Sequence, residues 1–126
     1  MAKTIDYEFK RGDTKLLKKF RPVDQNGNVL LLTNLDNIYF TMKKNENGTA
    51  IIKKKIGNGI TYGSDGFYHI TLQANETANL SAGTYKYDIE LDTYNSQAQL
   101  IVSTIIEGEI ELTQDVTQEG DRIWVI

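Results

Sequence analysis

Three acidic residues near the end of the chain stand at alternate positions, the spacing that places side chains on one face of a β-strand. They are Glu107, Glu109 and Glu111. Two carboxylates on opposite sides of a sugar can act as acid and base in glycoside hydrolysis. A row of like charges on a strand is more simply a solvent-exposed face, and nothing in the sequence predicts a pocket around it. A hydrolase is therefore the weakest functional hypothesis.

The only histidine is also a poor candidate for catalysis. His69 lies in an alternating segment, on the face opposite Tyr68 and Ile70. A catalytic histidine needs a nucleophile or a carboxylate within reach, and no local spacing of Ser or Asp supplies one. We therefore expect a solvent-facing strand histidine and a protein that is not an enzyme.

Neither metal nor cofactor chemistry finds support in the sequence. Residues 24–28, Asp-Gln-Asn-Gly-Asn, are similar to the first half of a calcium loop. Val29, not Gly27, stands at the sixth position, where such a loop has its glycine, and Leu35 stands where it has its bidentate glutamate. The glycine-rich residues 57–66 lack the Gly-Lys-Ser/Thr ending of a phosphate loop, and the absence of cysteine excludes thiolate ligands and disulfides. We expect no cofactor.

Charge is distributed unevenly along a chain of 126 residues with a net charge of −3. Residues 1–56 hold twelve basic and six acidic residues (+6), whereas residues 57–126 hold two basic and eleven acidic residues (−9). Solvated strand faces explain this simply, and electrostatic complementarity between neighbouring copies is the sharper alternative. An acidic protein without a nucleic-acid motif predicts no nucleic-acid partner, and no apolar run approaches about 20 residues, so we expect no membrane span.

Alternating apolar and polar residues separated by turn signals predict seven to nine short strands. The clearest strand begins at Gly83, with Tyr85 and Tyr87 facing the core. The segment 97–112 is the longest. Its alternation predicts that Leu100, Val102, Thr104 and Ile106 share one face, with a bulge at residues 107–109. Lys53–Lys55 indicates protection of an exposed sheet edge. At most one short helical turn is predicted, near residues 75–80. The predicted strands lie within residues 4–9, 16–20, 29–32, 38–43, 49–56, 60–62, 67–73, 83–92 and 97–112.

The start of the Gly83 strand is typical of the corner of an immunoglobulin-like sandwich. There, a tyrosine hydroxyl donates a hydrogen bond to the backbone a few residues upstream. Tyr85 would take that role, and Tyr87 would stand where antibody domains place a cysteine. With almost no helix, these signals predict an all-β protein, an antiparallel immunoglobulin-like β-sandwich, with Gly83, Tyr85 and Tyr87 forming its structural corner.

Several aromatic residues in predicted turns and strand ends offer an alternative function. Tyr62, Phe67 and Tyr94 would form a stacking platform for sugar rings if the fold brought them together. The protein would then be a carbohydrate-binding module that recognises a cell-surface glycan.

A series of short motifs, each weak alone, occurs in a recognisable order. Through the order and spacing of these motifs, roughly residues 4–117 of the chain resemble the N-terminal domain of the phage baseplate upper proteins and related small prophage structural proteins of Gram-positive hosts. The motifs are Arg11–Thr14, Asp24 and Gly27, Leu32-Thr33, Ile38-x-Phe40-x-Met42-Lys43, then Leu72, Thr77, Leu80, Gly83, Tyr85, Tyr87 and Ile89, then Thr104–Gly108 with Ile110, and Asp115–Thr117.

The resemblance implies an immunoglobulin-like β-sandwich that docks into a virion tail or baseplate and carries no catalysis. Its partners would be other virion proteins, copies of itself in a homo-oligomer, or both. It would be found in the virion, and in the host cytoplasm during assembly.

The end of the chain is apolar and has no obvious core partner. Ile123, Trp124, Val125 and Ile126 are candidate interface residues, because exposed Trp and Ile often anchor protein interfaces. We expect residues 1–126 to form one β-sandwich domain, with residues 118–126 a C-terminal tail or the start of a further segment.

Overall fold

The computed structural model describes residues 2–116, which form an all-β protein with one short helix. The helix overlaps the start of the predicted segment, at α1 (Ala74–Thr77). The predicted apolar run 29–32 is not a strand and contributes only a single bridge between Val29 and Val23. The strands are β1 (Lys3–Thr4), β2 (Tyr7–Lys10), β3 (Lys15–Leu16), β4 (Asn37–Lys43), β5 (Ala50–Ile56), β6 (Gly59–Tyr62), β7 (Tyr68–Leu72), β8 (Gly83–Tyr94) and β9 (Leu100–Thr113).

The strands form one curled sheet in the order β1-β9-β8-β4-β5-β6-β7-β3, with β2 also paired to β9. The concave face covers a single hydrophobic core to which β4, β7, β8 and β9 contribute most. The alternation predicted for β8 is confirmed, because Tyr85, Tyr87, Ile89 and Leu91 are all 3–6% exposed. Ile38, Phe40 and Met42 of β4 are fully buried at 0% exposure.

The sheet is mixed, so the expectation of purely antiparallel pairing does not hold. β1 and β2 run parallel to β9, and β5 runs parallel to β6. The first case joins the two ends of the described chain, a long-range contact that local patterning does not reveal. In the second, the chain loops through Gly57 and Asn58 and continues in its original direction, so that Lys55 pairs with Gly59.

The hydroxyl groups of the two core tyrosines of β8 donate to different backbone segments. Tyr85 donates to the Ser81 carbonyl oxygen, at 2.7 Å, four residues upstream. Tyr87 donates to the carbonyl oxygen of Ile5, at 2.6 Å, between β1 and β2. Its ring also stacks on Phe40 with 5.6 Å between centroids, and burial raises the pKa of the Tyr87 hydroxyl. Tyr87 therefore connects the core to the N-terminal segment.

One lysine of β5 lies inside the protein. Lys54 is 9% exposed, and its ammonium group contacts both carboxylate oxygens of Glu76 at 2.8 and 2.9 Å. Glu76 in turn accepts a hydrogen bond from the Gln73 backbone in a capping box at the start of α1. Lys53 and Lys55 are exposed, but β5 lies between β4 and β6, and Lys55 pairs with Tyr39 on one side and Gly59 on the other, so the expected sheet edge is not found there. Lys54 instead attaches the helix to the sheet.

The two tyrosine hydrogen bonds predict different losses of stability. Tyr85→Phe removes one hydrogen bond to an exposed turn and should lower the free energy of unfolding by about 1 kcal/mol. Tyr87→Phe removes the donor from a partly buried carbonyl and should cost more, about 1–3 kcal/mol. Urea unfolding of both variants beside the wild type measures the difference. Equal losses would show that the bond to Ile5 does not hold the N-terminal segment.

Candidate functional site

The hairpin of β8 and β9 projects beyond the strand on its β8 side. Asn37, the first residue of β4, lies opposite Asp92. The pairing of β8 with β9 continues past this point to Tyr94 opposite Leu100. The last turn of the hairpin is closed by the Asn95 side chain, whose carbonyl oxygen accepts from the backbone of Gln97 and Gln99.

The other side of β9 is covered over only part of its length. β1 pairs with β9 from Ile106 onward, where Lys3 lies opposite, and β2 continues this pairing from Ile110. Within residues 2–116, no strand pairs with that side of Leu100–Thr104. We call these five residues the free edge.

The free edge lacks the features that normally prevent a sheet from pairing with another molecule. Leu100, Ile101 and Val102 are 52%, 45% and 54% exposed. The sequence has no charged residue between Asp92 and Glu107, and no proline there. Natural edge strands are commonly protected by lysine, proline or inward-pointing charge. An uncharged, β-branched, exposed edge is therefore a candidate site for strand addition.

A β-bulge at Ile105 separates the free edge from the covered half of β9. Ile89 lies opposite Ile106 and Glu90 opposite Thr104, so one step on β8 spans two on β9. The extra residue shifts the alternation of side chains by one position, so residues before and after the bulge with the same parity point to opposite faces of the sheet. Thr104 is therefore exposed whereas Ile106 is buried.

Two sequence expectations for β9 are therefore wrong. Leu100, Val102 and Thr104 do not share a face with Ile106, because of the extra residue. The bulge is also not at residues 107–109, where pairing with β8 is continuous. Gly108 is needed there for another reason, since a Cβ atom would collide with the carbonyl oxygen of Ile5.

The covered half of β9 carries an acidic groove of about 610 Å³ on its solvent side. Glu107 lies opposite Asp88, and Glu109 lies opposite Lys86, with 2.6 Å between the Lys86 ammonium and a Glu109 carboxylate oxygen. Burial raises the pKa of Asp88, and the nearby Glu107 raises it further. Burial likewise raises the pKa of Glu90. No group of three acidic or histidine side chains among the described residues converges to hold a metal ion.

The predicted sugar platform is divided between distant strands. Tyr62 ends β6 and lines a cavity of about 480 Å³ with Arg21 and Leu31. Phe67 is close in sequence, but Lys19 and Arg21 lie over its ring at 4.5 and 4.6 Å from the centroid. Tyr94 is on β8, from which β4 and β5 separate β6, on the order of 14 Å along the sheet. Tyr94 therefore does not extend a platform built on Tyr62.

His69 has a carboxylate partner that the sequence reasoning missed. Its Nε2 lies 3.1 Å from both carboxylate oxygens of Asp65. That hydrogen bond, together with one from the Phe67 backbone, lowers the pKa of Asp65 to about 2. Asp65 and His69 are four residues apart across the turn between β6 and β7, and Lys19 also donates to Asp65, at 3.4 Å. Among the described residues, no serine or threonine hydroxyl is hydrogen-bonded to the pair. The two side chains are hydrogen-bonded across the turn between β6 and β7.

The remaining predicted residues fall in two places. Gly83, with a φ of 145°, begins β8 beside the Tyr85 corner contact, and Tyr87 follows in the core. The candidate interface residues Ile123, Trp124, Val125 and Ile126 lie outside the described residues. Sequence reasoning missed the free edge, although a signal was present in the fourteen uncharged residues between Asp92 and Glu107.

Comparison of the sequence with family models and with curated proteins gives no relative for this chain. No protein-family model matches it, and no curated protein has a significantly similar sequence. Among the described residues, no helix has the length and apolar character required to span a bilayer.

The raised pKa of Asp88 predicts a pH-dependent gain from removing its charge. A carboxyl group whose pKa is raised by folding destabilises the folded state when ionised. This penalty decreases as pH falls below the folded pKa and is lost as pH reaches the lower pKa of the unfolded state. Asp88→Asn should therefore raise the melting temperature at pH 7 and have little effect near pH 4. Thermal unfolding across this pH range tests it, with the exposed turn variant Asp13→Asn as control. A gain that does not depend on pH, or an equal gain in the control, would contradict the assignment.

Proposed function

We propose that this protein is a non-enzymatic assembly module of a phage or prophage particle, in its tail or baseplate, and that it acts through protein–protein contacts. The observation that carries the protein-contact part is the free edge, which presents unpaired backbone groups flanked by exposed Leu100, Ile101 and Val102. Main-chain hydrogen bonds along such an edge provide affinity, and side-chain contacts on either face provide specificity.

The assignment to a virion rests on the ordered motifs that resemble phage baseplate upper proteins. Several of these motifs belong to the framework of β8 and β9. Gly83, Tyr85 and Tyr87 build the start of β8, and Gly108 accommodates the N-terminal segment. The partners in this proposal are other virion proteins, copies of the same chain, or both, and the protein resides in the virion after assembly in the host cytoplasm.

We further propose that the fold is an immunoglobulin-like β-sandwich. The pairing of β5 with β6 is limited to two residues, Lys55 with Gly59 and Ile56 with Ile60, where the order passes from β9-β8-β4-β5 to β6-β7-β3. This weak link supports the proposal, since immunoglobulin-like domains divide their strands between two sheets. The hydrogen bond from Tyr85 to Ser81 at the start of β8 has the form of a tyrosine corner. The mixed pairing arises at the N-terminal strands and at the short link between β5 and β6.

Particle composition tests the proposed function. In the strain that carries the gene, the protein should co-purify with particles through density-gradient centrifugation and be detected there by mass spectrometry. A chromosomal Val102→Lys variant should be absent from, or strongly depleted in, the particle fraction, because a charge on the free edge opposes strand pairing.

Val23→Lys provides the matched control. Val23 is 52% exposed against 54% for Val102, and it lies away from β9. This variant should enter particles normally. Wild-type protein found only outside the particle fraction would overturn the virion role. Normal incorporation of Val102→Lys would remove the free edge as the contact.

A further inference from the structure

We propose that the free edge of β9 pairs with the free edge of a second copy of this chain, antiparallel and about a two-fold axis at Val102. This inference rests on the proposed function, because it names the partner of the same surface. It places Val102 of one protomer directly opposite Val102 of the other, and Leu100 opposite Thr104. The two curled sheets then become one continuous sheet.

The boundaries of the free edge favour an identical partner. The hairpin turn at Asn95–Gln99 closes one end, and the bulge at Ile105 followed by β1 closes the other. The open length is five residues, about 17 Å. Antiparallel pairing of two such edges fills both completely, whereas a longer strand would meet Lys3 where β1 begins. A two-fold contact of this kind closes on itself and does not propagate into a fibre.

Charge also favours antiparallel self-pairing. The five paired residues carry no charge, so no like charges oppose each other inside the ladder. Along β9 the acidic groove begins at Glu107, beyond the bulge, and on β8 it reaches Glu90, opposite Thr104. In the antiparallel arrangement the acidic grooves of the two copies lie at opposite ends of the joint. Parallel pairing would place both at the same end, where they would repel.

The same arrangement would bury part of the exposed Leu100 and Val102 side chains. Val102 and Leu100 lie on one face of β9, where Tyr94 of β8 is opposite Leu100. Pairing places the two Val102 side chains in contact and brings Leu100 of each copy beside Thr104 of the other. Five residues a side give a contact smaller than a standard interface, so we expect a dimer with a dissociation constant on the order of micromolar.

Sedimentation equilibrium of the full chain tests the dimer. The wild type should pass from monomer to dimer between about 1 and 100 µM. Val102→Lys should raise the dissociation constant by at least about tenfold, since two ammonium groups would face each other across the axis. Val23→Lys, with the same substitution at matched exposure, should dimerise as the wild type does. A monomeric wild type over the whole range, or a Val23→Lys defect equal to that of Val102→Lys, overturns the proposal.

A charge-swap experiment identifies the occupant of the edge. Val102→Lys and Val102→Glu should each be largely monomeric, and an equimolar mixture should form a heterodimer at the wild-type concentration. Only a site that faces its own copy across the axis predicts this rescue. If both variants are monomeric and the mixture stays monomeric, direct Val102–Val102 pairing is wrong.

The single tryptophan separates the alternative in which the C-terminal residues occupy the edge. Trp124 is the only tryptophan of the chain, so its fluorescence reports on that segment alone. Self-pairing of β9 predicts that Val102→Lys leaves the Trp124 emission unchanged at a concentration where the wild type is monomeric. A shift of emission there would place the C-terminal residues on the edge and overturn the second-copy proposal.

The dimer and the proposed function fail in distinguishable ways. A wild-type protein that is monomeric in solution, while Val102→Lys is lost from particles, would remove the second copy but keep the edge as a contact for another virion protein. A dimer that shows the charge-swap rescue in a protein never found in particles would keep the self-pairing and remove the virion role.

Discussion

The contact between the N-terminal segment and β9 decides which part of this protein is covered and which part remains open. Tyr87 donates from the core to the Ile5 carbonyl, and Ile5 donates in turn to the Glu107 carbonyl at 3.0 Å. Gly108 lets the Ile5 backbone approach, because any side chain there would collide with it. The Asp6 carboxylate accepts from the Glu109 backbone at 2.9 Å, where the N-terminal segment crosses from β1 to β2. These contacts secure the covered half of β9.

The same arrangement explains why one strand has two kinds of surface. From Ile106 onward β9 is paired on both sides, faces the core at Ile106 and Ile110, and shows carboxylates to solvent. Before the bulge at Ile105 it is paired on one side only and carries no charge. The covered half contributes to stability, and the open half is available for intermolecular pairing. Four of the eleven acids of the second half, Asp88, Glu90, Glu107 and Glu109, line the groove.

Local patterning was sufficient wherever a strand has one buried face and no irregularity. It identified the core faces of β4, β7 and β8, the short helix, and the tyrosine whose hydroxyl donates to Ser81. It failed at three places where a distant residue changes the outcome. Lys54 is buried because its ammonium group pairs with the Glu76 carboxylate. Ile106 lies on the face opposite to Thr104 because β9 has one extra residue between them. The pairing is mixed because the first strands join the last one. Each failure involves a partner that is remote in sequence or an insertion without its own sequence signature.

The alternation of apolar and polar residues therefore determined the class of the protein and most of its core, because burial of one strand face depends only on a period of two. Tertiary structure alone decided which strand edges remained open, because edge exposure depends on the strands that the rest of the chain delivers to each side. The sequence contains an uncharged segment from residue 93 to residue 106, but its pattern is equally typical of a strand in the middle of a sheet. Only the place where β1 begins to pair shows that Leu100–Thr104 is left without a neighbour.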